Sequence, residues 1–588
     1  MNQTLAVPLA HVPLGRRATA LIGGLFLAAL LLPAAQAGAR LAGELTSVII
    51  REAPGAGDGP EQLVQANGGT ITRNLAIIDG FAAELPASAL ARVASSPEIA
   101  SVTPDAALQL QAGAYAPAAD SSSMPSVGRL IGANAYWSAG FTGSGVDVAI
   151  VDSGVTPVLG LNGDNKIVRG PDLSFESQAP NLRYYDTFGH GTFMAGLIAA
   201  HDPGSPVNPG QQTSGYSGIA PGARIVSIKV ADAHGATDVS QVIAAIDWVI
   251  QHRRDNGMNI RILNLSFGTY SSQAYALDPL AFAAEAAWHA GIFVVVSAGN
   301  SAPPSGRLMN PAVDPFVMAV GASDPAGTTP VKDDVLLASS ARGDGIRNPD
   351  LVAPGRSVQG LRVPNSHVDL TFPGGRISDR YFRGSGTSQA AAIVSGAAAL
   401  VIQQRPTIKP DALKALLTST ASRLPAADGR GQGAGMVNLA AAVSTKTPIT
   451  TQLFARSTGV GTLEGARGIY HLVINGVVLD GERDIFGQPF NSAAIAAATL
   501  TGTTWTGGSW NGSVWTGDGW AGNEWSTVEW AGNEWSGNEW SGNEWSGNEW
   551  SANEWSANEW SANEWSANEW SANEWSSAGW QSAWAEDR

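Results

Sequence analysis

Between residues 127 and 443, short apolar runs rich in β-branched residues alternate with longer helical stretches, which predicts an α/β domain with a parallel sheet covered by helices on both faces. Two further observations frame it. Strand- and helix-length segments over residues 44–111 predict a small α+β domain in front, and a five-residue tryptophan repeat over residues 501–588 forms a low-complexity tail behind. At 588 residues the chain is too long for one ordinary domain.

The N-terminus carries Arg16 and Arg17, an apolar run from Ala18 to Leu32, and then Ala35-Gln36-Ala37. This order predicts a secretory signal peptide over residues 1–37, cleaved after Ala37, with an uncleaved membrane anchor as the alternative. The unit at 44–111 offers the strand-like Thr46 to Ile50, a Gly68-Gly69 turn, an apolar stretch Leu75 to Phe81, a helix from Pro86 to Ser95, and Ile99 to Asp105. By composition alone it could be any small domain. The stretch Ala106 to Ser123 has a linker's composition.

In the large domain the expected strands are Val146 to Val151, Ile225 to Val230, Ile262 to Leu265, Ile292 to Val296 and Phe316 to Val320. Helices are expected from Val239 to Arg254 before Gly257, from Pro279 to Ala290 before Gly291, and from Ala390 to Gln404 before Pro406. In parallel sheets ligands bind at the carboxyl ends of the strands. The residues there are Asp152-Ser153-Gly154 after the first strand and Ser297-Ala298-Gly299-Asn300 at the end of the fourth. His190, in Gly189-His190-Gly191-Thr192, opens a helical run. Ser388 opens the Ala390 helix, where unpaired N–H groups favour developing negative charge. Each of these residues alone has an ordinary structural reading: a turn aspartate, a loop histidine, a turn asparagine, a serine helix cap. Together they are the hydroxyl, imidazole and carboxylate that acyl transfer needs.

The motifs Asp152-Ser153-Gly154, His190-Gly191-Thr192 with Met194 to Ala200, Ser297 to Asn300, and Gly386-Thr387-Ser388-x-Ala390 resemble those of subtilisin-like serine proteases, in that family's order. Ile219-Ala220-Pro221 and Val352 to Gly355 extend the likeness, which covers about residues 127–443. The resemblance implies Ser388 as nucleophile, His190 as general base then acid, Asp152 as its orienting carboxylate, and Asn300 with the Ser388 N–H as the oxyanion hole. It also implies that Ser266-Phe267-Gly268 presents backbone to an extended substrate, and that Met309 stands at the back of the pocket for the residue before the scissile bond, P1, where the family often has Gly. A shallow pocket for small or medium apolar P1 side chains is expected from that Met. Gln389 replaces the family's usual Met and is expected to be tolerated. Residues 44–111 resemble the family's inhibitory propeptide in their order of elements, in Gly80 to Leu85, and in Val102-x-x-Asp105, which implies a zymogen processed near Gln111.

Residues 444–500 form a bridge in which Tyr470 to Ile474 would turn at Asn475-Gly476 into Val477 to Leu479, as either a small β unit or an ordered linker. From Trp505 to Trp580 a tryptophan recurs every five residues, mostly within Asn-Glu-Trp-Ser-Ala or Asn-Glu-Trp-Ser-Gly. A helix would spiral these rings around its axis and a flat strand would alternate their faces. Two options remain: a solenoid that turns a corner in each repeat, or a mobile adhesive tail that contacts a surface or polymer by many weak contacts.

Residues 501–588 hold fourteen Asp and Glu against one Arg, so most of the chain's formal charge of −16 belongs to the tail. No basic block points to nucleic acid. With no cysteine, thiol chemistry, disulfides and thiolate metal sites are excluded. No metal-ligating cluster stands out, and structural calcium is expected from the resemblance only. The chain therefore reads as a secreted, propeptide-inhibited serine endopeptidase acting on protein or peptide substrates, with surface association through the tail. The alternative is an adhesive protein whose protease-like domain is a scaffold. A lipase or esterase is disfavoured because no G-x-S-x-G elbow surrounds Ser388.

Overall fold

The computed structural model describes residues 45–105, 117 and 120–515, except 207, 213–214, 301–305, 327, 329–330 and 475–476. The expected signal peptide, the processing region near Gln111 and the tryptophans from Trp520 onward lie outside the described residues. The chain divides into two compact units, residues 1–111 and 112–588.

The first unit is a four-stranded antiparallel sheet of Leu45–Glu52, Thr70–Leu75, Gly80–Pro86 and Ile99–Pro104, in the spatial order second, third, first, fourth. Val48, Ile50, Phe81, Ala83 and Leu85 alternate along the central strands and bury one face against Val64 and Val93 of two short helices, Gly59–Ala66 and Leu90–Ala94. The apolar stretch Leu75 to Phe81 is not continuous. A 3-10 turn, Ala76–Ile78, and Asp79 at φ +49° redirect the chain into the third strand. Gly80 is needed there because a Cβ would lie 2.0 Å from the carbonyl oxygen of Ile50. The helix expected from Pro86 to Ser95 is shorter, a 3-10 turn followed by Leu90–Ala94.

In the second unit seven parallel strands form the sheet: β1 (Asp147–Asp152), β2 (Ile167–Asp172), β3 (Arg224–Lys229), β4 (Ile260–Leu265), β5 (Phe293–Ser297), β6 (Met318–Asp324) and β7 (Leu351–Pro354). Their order is β2-β3-β1-β4-β5-β6-β7, and Val335–Leu336 adds an antiparallel edge at the end of β6. Helix α1 (His190–Ala199) packs with α4 (Thr387–Gln404), and α2 (Val239–His252) with α3 (Pro279–His289), so the sheet carries two helical layers. Residues Thr387 through Ile402 of α4 are all buried, which suits its run of Ala, Gly and Ser: a helix covered on every side needs small residues for close approach. Strand order reverses between β1 and β4, so the crevice beyond their carboxyl ends is the topological switch point where ligands bind in open α/β sheets.

The expected strands are present, displaced by one or two residues, except that β6 runs four residues beyond the expected end at Val320. β2 has no counterpart in the apolar runs, because it is an edge strand interrupted by Arg169, Gly170 and Pro171.

Residues 444–515 pack on this second unit. The hairpin is only two residues per strand, Val473–Ile474 with Val477–Val478, and is followed by a helix, Ser492–Thr501. The first three repeat tryptophans are buried together. Trp505 donates from Nε1 to the carbonyl of Ala244 at 2.8 Å, Trp510 to Asp247 Oδ2 at 2.9 Å, and Trp515 to the carbonyl of Trp510 at 3.0 Å. The chain turns between them at Gly507-Gly508 and Asn511-Gly512, pairs with consecutive positive φ that suit tight hairpins. For these three, the corner-turning option holds.

Candidate active site

Asp152 is the last residue of β1, and its buried carboxylate lies 2.9 and 3.0 Å from Nδ1 of His190, the first residue of α1. A carboxylate partner places the imidazole proton on Nδ1 and turns Nε2 outward as the basic nitrogen. Gly191 makes the approach possible: a Cβ there would lie 2.1 Å from the carbonyl oxygen of Gly154 and 3.2 Å from Asp152 Oδ1.

One residue that no motif singled out, Asp186, holds this pair together with Ser153 of the first motif. The Asp186 carboxylate accepts the N–H of Gly189 at 2.6 Å and of Thr192 at 2.7 Å, which anchors the start of α1 with negative charge at its positive end. It also accepts the Ser153 hydroxyl at 2.8 Å, while the Ser153 N–H donates to Asp152 Oδ1 at 2.8 Å. Asp186 thus ties the end of β1 to the start of α1 and acts as a positioning residue. Burial pushes its carboxyl up, against the pull of the hydrogen bonds from Thr192, Gly189 and Ser153. The contact between Ser153 and Asp186 joins two loops with no periodic signal, so only the position of Asp186 four residues before His190 could have drawn attention to it.

Ser388 lies in the first turn of α4, preceded by Gly386 at φ +148°, a value that favours glycine. Its hydroxyl donates to the carbonyl of Ser266 at 2.9 Å. Ser266 directly follows β4, and the pairing of Ile150 with Asn264 puts Asp152 level with Ser266 on adjacent strands. The Asp152–His190 pair and Ser388 therefore stand on the two sides of the switch point. The helices that carry His190 and Ser388 in their first turns meet eight residues beyond these side chains, where a Cβ on Gly396 would lie 3.4 Å from the carbonyl oxygen of Ile198.

Asn300 follows β5 through Gly299, at φ +113°. Its Oδ1 accepts the N–H of Thr387 at 2.8 Å and the Thr387 hydroxyl at 2.9 Å, so the carbonyl end of the amide is fixed on the residue before Ser388 and the NH2 end faces away from it. Met309 is buried between the segments of Gly268 and Gly299. A Cβ on Gly268 would lie 2.9 Å from Met309 Cβ, and one on Gly299 would lie 3.0 Å from its Sδ. Phe267 is buried beside Gly268. Gln389 is fully buried, with no protein partner for either amide atom among the described residues.

Among the described residues no group of three or more His, Asp or Glu side chains is placed to hold a metal ion. No helix of the described residues is long and apolar enough to cross a membrane.

Residues 143–437, half of the chain, match the Subtilase family. The chain is 38% identical over 306 residues to the serine protease AprX of Bacillus subtilis, covering 50% of this chain and 66% of that protein. It is 34% identical over 303 residues to subtilisin Savinase of Lederbergia lenta, covering 52% of this chain and 92% of the relative. To subtilisin amylosacchariticus of Bacillus subtilis subsp. amylosacchariticus it is 30% identical over 387 residues, 65% of this chain and 85% of that protein. Matches of this extent, over the sheet and helices that carry Asp152, His190, Asn300 and Ser388, mean that the chain belongs to the subtilase family of serine endopeptidases.

Proposed function

We propose that the chain is a secreted endopeptidase that cleaves peptide bonds through an acyl-enzyme formed on Ser388, and that it is made as a zymogen inhibited by residues 44–111. The observation that carries the proposal is the Asp152–His190 hydrogen bond across the switch point from a serine hydroxyl at a helix start. At rest the Ser388 proton lies on the Ser266 carbonyl. A substrate strand paired with Ser266-Phe267-Gly268 brings its own N–H to that carbonyl, and the hydroxyl exchanges to His190 Nε2. Ser388 Oγ then attacks the scissile carbonyl, its proton passes to Nε2, and Asp152 stabilises the imidazolium. Asn300 Nδ2 and the Ser388 N–H receive the oxyanion. His190 returns the proton to the leaving amine, and water repeats the sequence to release the acid.

Ser388→Ala is expected to abolish casein digestion by the processed protein. Correctly processed wild type without activity would leave the scaffold reading in its place. Met309, set between Gly268 and Gly299, makes the P1 pocket shallow, so peptides with Ala or Leu at P1 are cleaved in preference to Phe or Tyr. A P1 series with strong cleavage after Phe or Tyr and none after Ala or Leu overturns that assignment. The acidic tryptophan repeats act as a tail that holds the enzyme on a surface or polymer. Deleting residues 516–588 should reduce retention on cells or polymers, and equal retention removes the idea.

A further inference from the structure

Asp152, Ser266 and Asn300 stand at the carboxyl ends of their strands, and a second concave site opens at the opposite edge of the sheet. A cavity of about 300 Å³ lies between the end of α2, the start of β4, the turn after α3 and the loop after α4. Arg253, Arg254, Arg261 and Lys409 line it, together with the buried apolar side chains of Ile260 and Ile408. No Asp or Glu lines it, and among the described residues none of the four cations has an ion-pair partner. Two of the arginines are set by backbone. Arg253 Nη1 donates to the carbonyl of Ile250 at 2.5 Å, and Arg261 donates to the carbonyls of Pro406 at 2.6 Å and Ile408 at 2.8 Å. Asp255, next to Arg254, is exposed. Asp411, in the first turn of α5 (Pro410–Thr420), is taken up by Trp288 Nε1 at 2.7 Å and by the N–H of Gln452 at 3.1 Å.

Helices α2, α3 and α4 all end beside this cavity, and each brings about half a negative charge. Four full cations outweigh that, so the cavity stays positive. The cations also repel one another: burial, and then the charge of Arg254, lower the Arg261 pKa. An anion relieves both effects, and the chain carries one close by. The backbone of Trp505 pairs with the side chain of Gln251 in the last turn of α2, its N–H donating at 3.2 Å and its carbonyl accepting at 2.8 Å. The Trp515 ring lies 6.5 Å from that of Trp505, so the described chain ends near the same stretch of α2. From Ala244, where the Trp505 indole is anchored, to Arg253 is about 14 Å along the helix axis. Five extended residues, one repeat, span about 17 Å. Residues 516–588 then carry fourteen acidic residues against one Arg, most of them as Glu-Trp.

We propose that Glu-Trp units of residues 516–588 dock in the cavity formed by Arg253, Arg254, Arg261 and Lys409, folding the tail back along the edge of the sheet opposite the active site. The carboxylate forms paired hydrogen bonds with a guanidinium, and the indole stacks on a neighbouring guanidinium or on Ile260 and Ile408. Because the repeats are equivalent, they exchange in the cavity and raise its occupancy, while those not engaged stay free for a surface or polymer. The inference does not depend on the catalytic reading.

Lys409 is the one amine in the cavity, which makes a zero-length carbodiimide cross-link to a tail glutamate the direct test. The full chain carrying Ser388→Ala is treated in about 0.05 M and about 0.5 M NaCl, and the linked peptides are mapped by mass spectrometry. Lys332 and Lys446, exposed and outside the cavity, serve as internal controls. Lys409 is expected to couple to tail glutamates at least about fivefold more than either control at low salt, and the excess should vanish at high salt. Arg254 is exposed and makes no hydrogen bond among the described residues, so Arg254→Glu should keep the thermal melt of the parent and abolish the excess. Should Arg254→Glu fail to fold, Arg254→Gln is expected to reduce the excess by about half. Equal coupling at the three lysines, or an excess that survives the Arg254 variants or high salt, overturns the proposal. An equal mixture of nitrogen-15-labelled and unlabelled chains tells whose tail is bound. Links confined to one isotope support docking within the chain, and links mainly between labelled and unlabelled chains overturn it in favour of a second copy.

Discussion

With Asn300 in the proposed oxyanion hole, its replacement by alanine is expected to lower turnover by about 10²–10³, or about 2.7–4 kcal/mol of transition-state stabilisation, the magnitude found for an oxyanion-hole asparagine in subtilisin. The geometry explains why the loss should fall on turnover. Oδ1 is held by two donors of Thr387, so the NH2 end is preset before substrate arrives and undergoes no reorganisation as charge develops. Thr387 is in turn fixed by the Gly299 N–H, which donates to its hydroxyl at 3.1 Å. The side chain also anchors the first residue of α4 through the Thr387 N–H, so a modest fall in thermal stability should accompany the loss of turnover. The measurement is kcat on a peptide substrate per titrated active site, beside a thermal melt. Near-normal kcat would remove Asn300 from the oxyanion hole, and collapse of the melt would make its role structural.

Arg467→Ala destabilises the second unit by about 3–5 kcal/mol, because it leaves a buried charge without its partner. Arg467 is fully buried and donates to Asp238, to the carbonyl of Gly481 at 2.6 Å and to the carbonyl of Arg483 at 2.5 Å. Asp238 caps α2, accepting the Ser240 N–H at 2.9 Å while Gln241 accepts the Asp238 N–H at 2.7 Å in a capping box. Burial works to raise the Asp238 pKa, but the charge and hydrogen bonds of Arg467 overcome it and hold the carboxyl below its usual range. The sign follows from that depression. The pair contributes stability above the unfolded carboxylate pKa, and the contribution is lost as pH falls through the folded one. The gap between wild type and variant should therefore be widest near neutral pH and narrow below about pH 4. Denaturant midpoints measured in a Ser388→Ala background, where self-digestion is absent, give the comparison. A gap that is small or independent of pH would show that Asp238 finds another partner.

Legibility in the sequence followed the range of the interaction. Strands β1, β3, β4 and β5 are continuous apolar runs bounded by turn residues, and their positions are readable to within a residue or two. The motif residues fall at element ends, where an α/β sheet puts its chemistry. β2 carries no such run, since an edge strand need not be apolar throughout. Arg467 is not legible because it acts through Asp238, remote in sequence, and the tie from Asp186 to Ser153 is equally remote, although Asp186 also anchors Gly189 and Thr192 close by. The five-residue tryptophan period alone chooses no regular element. Gly507-Gly508 and Asn511-Gly512 are hairpin pairs, and such pairs let rings five residues apart return to one place.

The burial of Trp505, Trp510 and Trp515 against α2 also sets where this enzyme can be cut. A protease must survive its own company. Cleavage between the last helix of the family-matched region and Trp515 would open an aromatic cluster and expose Arg467 and its partners to water, so a clip there is a step toward inactivation. The three indoles close the second unit, so trimming compatible with an intact core begins beyond Trp515.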